Sequence, residues 1–404
     1  MNRQLRNAAL TLIAMTSVLS LASLARAEDA KTDIYGYVMM DAGYNNIAID
    51  PAWFDVQRPT KLPSFDHEFG DKGNTFFSAR QTRFGVKSWL PTEKGTLKTI
   101  FEWEMFGTGV DAGQTTIRLR HAYGELGKFG AGQYWSPFMD IDVFPNTVEY
   151  WGPPGMAFFR NVQIRYMPIQ DGDNHKMTIA LERPGASGDQ GVYASHIDFS
   201  GITPRFPLPD LSAEYRAPLG EGYVELAGIV RDIQWEDNNP APPDLAGGVT
   251  GWGFNLSSNI KAGDDNVFRL SALYGEGIEN YMNDAPVDVG TEPSANDPLI
   301  PVGKALPVTG LVGFLDHTWN KMASTSVGYS YIHIENSAGM APDAFKNGHY
   351  VLGNVLFYPA TNVMAGVEAG WIRRENFSDG FSSDDTHIQV SARYNFSVSI
   401  GGGK

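Results

Sequence analysis

The side chains in this sequence with the clearest chemistry are cations placed on alternating patterns. Arg118 and Arg120 alternate with Ile117, Leu119 and Tyr123, Arg165 alternates with Val162, Ile164 and Tyr166, and Arg83 and Lys87 lie opposite in parity to Phe84 and Val86. On an extended backbone alternate residues share a face, so each set puts cations on one side and apolar groups on the other. A guanidinium stays charged and offers a planar fork of donors that matches a carboxylate. The chemistry open to these residues is to hold or pass small anions. Arg160 joins them because it closes a long insertion over 137–160. Arg80 has the wrong parity relative to Arg83 in a regular strand, and reaches the same side only through a bulge or beyond the strand end.

Acids near these cations have two readings. Asp140, Asp142 and Glu149 on the 137–160 insertion either set a field across a lumen, opposite the arginines, or are simply solvated loop residues. Glu102 and Glu104 on the preceding strand either pair with Arg118 and Arg120 as scaffold or, sharing a face about 6.6 Å apart, act as the two carboxylates of a sugar-cleaving site.

Other chemical signals are weaker. His121 sits among residues expected to face outward, with no second histidine at ligand spacing, so it reads as a contact side chain and no metal is expected. Asp171 to Asn174 opens like a calcium loop but lacks the remaining ligands. Ser195 and His196 are the one adjacent serine–histidine pair; no nucleophile-elbow motif surrounds them, and neighbours on an extended chain point apart. No cofactor is expected, and the chain does not read as an enzyme. The rival classes are an outer-membrane hydrolase barrel and a secreted soluble carbohydrate-active β-protein.

The elements that must position these groups follow from the rest of the chain. Arg3 and Arg6 precede an apolar run ending in Ala25-Arg26-Ala27, the pattern of a signal peptide cleaved after residue 27, leaving 28–404 as one unit. The 31 basic residues, three of them in that leader, face 46 acidic ones, which argues against nucleic acid as a partner. There is no cysteine, so no disulfide or thiolate chemistry is available. No segment beyond the leader has the roughly 18 apolar residues of a spanning helix. What recurs is a segment of about ten alternating residues ended by turn residues, as transmembrane β-strands read. Asp33 to Asp41 is one, with Ile34, Val38 and Met40 on one face and Tyr35, Tyr37 and Asp41 on the other.

The same rule places strands near 75–90, 96–107, 114–129, 131–136, 161–168, 176–183, 211–217, 222–235, 249–261, 266–276, 308–319, 322–334, 348–358, 361–375 and 386–397, about sixteen in all. Tight connections at 91–95, 220–222, 263–266, 320–321 and 359–362 alternate with long insertions at 45–74, 137–160, 184–210, 236–248, 277–307 and 335–347. Short turns on one rim and long loops on the other are expected of an all-β, antiparallel barrel in the bacterial outer membrane. Within hydrocarbon every backbone polar group needs a partner, so such strands must close on themselves, around a water-filled lumen. The insertion at 137–160 is the one expected to fold inward. Trp89, Trp103, Trp135, Trp319, Tyr358 and Trp371 lie near strand ends, where interfacial girdles sit.

Longer motifs carry a resemblance. Gln133-Tyr-Trp-Ser-Pro-Phe-Met-Asp-Ile-Asp-Val-Phe-Pro-Asn-Thr147, Tyr150-Trp-Gly-Pro153, Phe158-Phe-Arg-Asn-Val-Gln-Ile-Arg165 and Arg118-Leu-Arg-His-Ala-Tyr-Gly-Glu125 resemble the DcaP-like family of trimeric outer-membrane porins, most densely over 75–168. The resemblance implies a sixteen-stranded homotrimer whose lumen passes dicarboxylates and related organic anions. Two departures stand out. The family's coiled coil before the first strand has no counterpart in Glu28 to Thr32, and the chain runs past Phe396 into Ser-Val-Ser-Ile-Gly-Gly-Gly-Lys404. Either the assembly signal is internal or that tail is an appendage.

Overall fold

The computed structural model describes residues 30–239 and 242–402, so the leader expected at 1–27 lies outside the described residues. The chain forms a closed antiparallel barrel of sixteen strands. In order they are β1 (Lys31–Asn45), β2 (Asn74–Ser78 and Arg83–Thr92), β3 (Gly95–Phe106), β4 (Thr115–Leu126), β5 (Phe129–Trp135), β6 (Arg160–Gln170), β7 (Lys176–Glu182) and β8 (Ile202–Arg205 and Asp210–Leu219). They continue as β9 (Gly222–Asp237), β10 (Gly247–Lys261), β11 (Asn266–Glu276), β12 (Pro307–Asn320), β13 (Ala323–Ile334), β14 (Phe345–Ala360), β15 (Val363–Asn376) and β16 (Ser382–Gly401). β1 closes the ring by pairing with both β2 and β16, so no strand edge runs the full height of the wall.

Residues 397–401, past Phe396, are part of the closing seam, not an appendage. Ser397 to Gly401 pair with Tyr35 to Lys31, and Ser399 Oγ donates to Asp33 at 2.6 Å. Alternation holds along most strands. Val38, Met40, Ile164, Phe254, Ile388 and Val390 are each about half exposed or more on the outer wall, an apolar belt suited to lipid. Two of the expected girdle aromatics turn the other way. Trp135 packs against an inner cluster around Phe138, and Tyr358 packs beside Met39 and Met364 while its hydroxyl meets Ser324.

The apolar core of this barrel lies inside it. The segment 136–159 between β5 and β6 leaves the wall and crosses the lumen, as expected from its place after the fifth strand. Its landing is fixed by hydrogen bonds to the far strands: Val148 and Glu149 donate backbone N–H to Glu368 at 3.0 and 2.7 Å, and Asn354 donates to the Asn146 carbonyl at 2.9 Å. At Gly155 the loop backbone lies so close to β12 and β13 that a Cβ would sit 2.1 Å from the Tyr331 carbonyl oxygen, so a side chain there would push the loop off the wall. Parts of 46–73, 277–306 and 335–344 fold in above it. Phe138, Ile278 and Leu306 are completely buried among these segments, worth about 1.5–3 kcal/mol each by area.

Candidate functional site

Between the inward loop and the β2–β6 wall remains a cavity of about 660 Å³. Six arginines line it: Arg58, Arg83, Arg118, Arg120, Arg160 and Arg393. Its two carboxylates, Glu149 and Glu279, are only 2% and 1% exposed, so the charge presented to the cavity is chiefly cationic.

Three of the arginines converge on the two glutamates of β3. Glu104 accepts from Arg83 at 3.1 Å, from Arg118 Nε at 3.0 Å and from Arg120 at 2.8 Å, while Glu102 accepts from Arg120 at 2.7 Å and from the Tyr35 hydroxyl at 2.7 Å. The pairing of Arg118 and Arg120 with Glu102 and Glu104 is therefore real, and the cations still outnumber the acids. Glu104 is completely buried, and burying a carboxylate is tolerable only with this density of donors. Tyr150, on the inward loop, also bonds Glu104 and Arg118, which ties the loop to the cationic wall.

A bulge makes this geometry. The register of β3 on β4 runs Glu102 to His121 and then Trp103 to Leu119, leaving Arg120 as the extra residue. Two β4 residues opposing one β3 residue reverse the alternation below that point. His121 and Tyr123, expected to face outward, are consequently buried inside: His121 packs on Tyr134 and Trp135, and Tyr123 stacks on Tyr134. Arg118 and Arg120, two apart, reach the acids of β3 from the regular part of the register; the bulge turns His121 and Tyr123 inward beside them.

The remaining candidates separate by environment. Arg160 lines the cavity 5.1 Å from the Trp135 ring, with its Nη1 buried and without a hydrogen-bond partner. Lys87 is exposed nearer the short-turn rim, its ammonium 4.9 Å over the Tyr35 ring. Arg165 lies away from the cavity, donating to Gln163 at 2.7 Å and lying 5.0 Å over Tyr134. Arg80 occupies the interruption of β2, the irregularity its parity required. There it pairs with Asp55 at 2.6 Å, donates to the Gly107 carbonyl at 2.9 Å and covers the Phe106 ring at 3.8 Å, all structural contacts.

The loop acids are engaged rather than bare. Asp140, nearly fully buried, accepts from Arg216 at 2.7 Å, Tyr223 at 2.6 Å and Ser257 at 2.7 Å, and Asp142 accepts from Arg216 at 2.6 Å. Glu149 accepts backbone N–H bonds from Gln57, Trp151 and Gly152 at 3.0, 2.7 and 2.6 Å. Ser195 and His196 do touch, at 3.2 Å, because a tight turn over Gly191–Ser195 replaces the extended backbone assumed for them; both are exposed.

Two cavity arginines escaped the sequence reading. Arg393 was reachable, since it alternates with the outward Ala392 and Tyr394 of β16. Arg58 carries no such signal: it sits in 46–73, its guanidinium 4.2 Å from Trp53 and 4.0 Å from Trp151, and its Nε bonds Asp284 at 2.8 Å. Three loops meet at that one side chain.

A sixteen-stranded closed barrel with an inward loop and a polar lumen is the architecture of an outer-membrane channel. A profile of the DcaP outer membrane protein family matches residues 6–396, and the chain belongs to that family. Among solved structures it is similar to the outer membrane channel DcaP of Acinetobacter baumannii, at 20% identity and a TM-score of 0.72, covering 91% of this chain and 98% of that one. It also resembles the anion-selective porin from Comamonas acidovorans (10% identity, TM-score 0.59, 91% and 100% covered) and the trimer form of OmpT from Vibrio cholerae (14%, 0.53, 91% and 100%). No curated protein matches the sequence. The family and these neighbours are channels of the outer membrane, not enzymes.

Proposed function

We propose that this porin is a passive, anion-preferring channel for small organic acids, dicarboxylates foremost, working as a homotrimer with outer-membrane lipid around it. The observation that carries the reading is the cavity beside the inward loop, where six arginines face two buried glutamates. At such a constriction nearby charge outweighs the acidic balance of the whole chain, because salt screens exposed charges beyond about 8–10 Å. A solute with two carboxylates meets Arg160 and the outer faces of Arg83 and Arg118 at contact distance, each able to offer a donor fork. That the related Comamonas porin is anion-selective accords with this reading.

Trimer formation draws support from the wall itself. β5 pairs with β4 only over Ala122–Leu126, so the upper part of β4 lacks a ladder partner on that side. On that stretch Ile117 is 69% exposed, and on the neighbouring wall strands Phe77 of β2 and Ile164 of β6 are 71% and 66% exposed. An unpaired edge at an apolar wall is costly against lipid and is relieved by a protein neighbour. A heat-labile oligomer on a native gel is the expected result; a monomer at every detergent concentration counts against it.

The test of selectivity is the reversal potential of purified channels in a planar bilayer under a salt gradient. Anion preference that collapses when Arg118, Arg120 and Arg160 are replaced together by Ala supports the reading. Cation preference in the unaltered channel ends it.

A further inference from the structure

Toward the short-turn rim lies a second cavity of about 420 Å³, between β14–β16 and the turns joining β12 to β13 and β14 to β15. It is lined by Lys321, Asn362 and Asn395 among others, and by no carboxylate among the described residues. One residue lines both cavities: Arg393 of β16. Its Cα partners across the sheet are Met39 and Met364, both buried, and Val148 from the inward loop lands in the same apolar cluster. The side chain thus rises from an apolar floor at the point where the loop meets the wall.

Most buried inward arginines are held by acids or by neutral acceptors, Arg165 by Gln163 and Arg374 by Asn376, while Arg160 in the main cavity shares with Arg393 a buried nitrogen without a partner. Arg80 pairs with Asp55, Arg216 with Asp140 and Glu225, and Arg231 with Asp210 and Asp288. Arg393 has no carboxylate within ion-pair distance among the described residues. Its Nε is buried without a hydrogen-bond partner, and its guanidinium carbon stands 5.5 Å from the Tyr37 ring. A structural role would satisfy that fork; here it is left with donors to spare, at the one side chain common to both cavities.

We infer that Arg393 is the transfer residue of the channel, taking a carboxylate from the arginine cluster above and releasing it toward Lys321 and the periplasmic mouth. The inference rests on the anion-channel reading. It adds a second binding step to it, and conduction requires such steps to be weak and several, so that no one site traps the ion. The aromatic ring beside it and the methionines beneath suit a guanidinium that must stay charged while partly dehydrated.

The chain has no cysteine, so Arg393→Cys places a single thiol in the folded channel. Single-channel recordings with succinate as the permeant anion would compare the unmodified thiol, the thiol capped with a cationic methanethiosulfonate, and the thiol capped with an anionic one. The expected result is a several-fold fall in succinate permeability relative to chloride in Arg393→Cys, recovery with the cationic reagent and a further fall with the anionic one. Arg393→Lys should retain most of the permeability. Equal succinate permeability in all forms, with the unaltered channel still anion-selective, overturns the role of Arg393 alone. A cation-selective unaltered channel overturns the anion reading itself.

Discussion

Two clusters of cations and carboxylates stand on the inner wall, built from the same side chains and put to different uses. On β2–β6, Arg83, Arg118, Arg120 and Arg160 surround two glutamates, Glu102 and Glu104, so positive charge is left over. On β7–β9, Arg216 and Lys176 meet Asp140, Asp142, Glu214 and Glu225, so the acids are in excess and Arg216 is fully occupied. The first cluster borders a cavity. The second clamps the start of the inward loop to the wall, with the Arg216 guanidinium also covering Tyr223 at 3.6 Å. The stoichiometry of the two partners, rather than the presence of arginine, separates a surface that can meet a solute from one that holds a loop.

The largest effect is expected at the clamp. Replacing Arg216 with Leu leaves Asp140 buried without its cation and Glu225 with Lys176 alone at 3.5 Å, and breaking such a buried pair typically costs about 3–5 kcal/mol. The heat-modifiable gel transition should fall to markedly lower temperature and the channel should become noisy, as the loop loses its anchor. An unchanged transition would break the distinction between the clusters. Next in size is Glu104→Gln, which removes the negative charge that three arginines share and turns one acceptor oxygen into a donor. It should raise anion preference in reversal-potential measurements while also lowering thermal stability; a shift toward cations would show that Glu104 is not what balances the cluster.

A smaller effect is expected at Glu279, in the loop folded over the cavity. Burial pushes its carboxyl well above the usual range, and neither of its oxygens has a hydrogen-bond partner. A carboxyl whose folded pKa is raised gives stability that is complete below its unfolded pKa, about 4.3, and is lost as pH climbs toward the folded value. Protease cutting within 277–306 should therefore accelerate as pH rises, and Glu279→Gln should flatten that dependence. Identical pH profiles for both proteins would remove Glu279 as the cause. The smallest effect is Arg160→Gln: with no ion pair to lose, the gel transition should move little while anion preference declines. A large loss of stability instead would assign Arg160 to scaffold.

Much of this was legible in the linear chain. Strand alternation gave all sixteen strands and the inner face of Arg83, Lys87, Arg118 and Arg165, because a side-chain period of two is a local property of extended backbone. The error at His121 and Tyr123 came from one inserted residue, Arg120, which alternation cannot reveal because the extra residue is defined by the strand opposite. Arg58 and the partners of Asp140 and Glu149 were hidden for a related reason. Arg58, Asp140 and Glu149 belong to loops, whose side chains have no period and whose partners lie far along the chain, 226 residues away from Arg58 to Asp284.

By itself the sequence determined the strands, most of their sidedness, the alternating rims and several of the cations available to a lumen, all consequences of local geometry and of the need to pair every backbone group in lipid. Tertiary structure decided which of those cations remain available. Arg80 and Arg216 are quenched by acids brought from distant loops, and Arg165 is drawn aside onto Gln163 and Tyr134. Arg160 and Arg393 are left facing space, because only the folded loops fix how many carboxylates lie within hydrogen-bonding reach of each guanidinium.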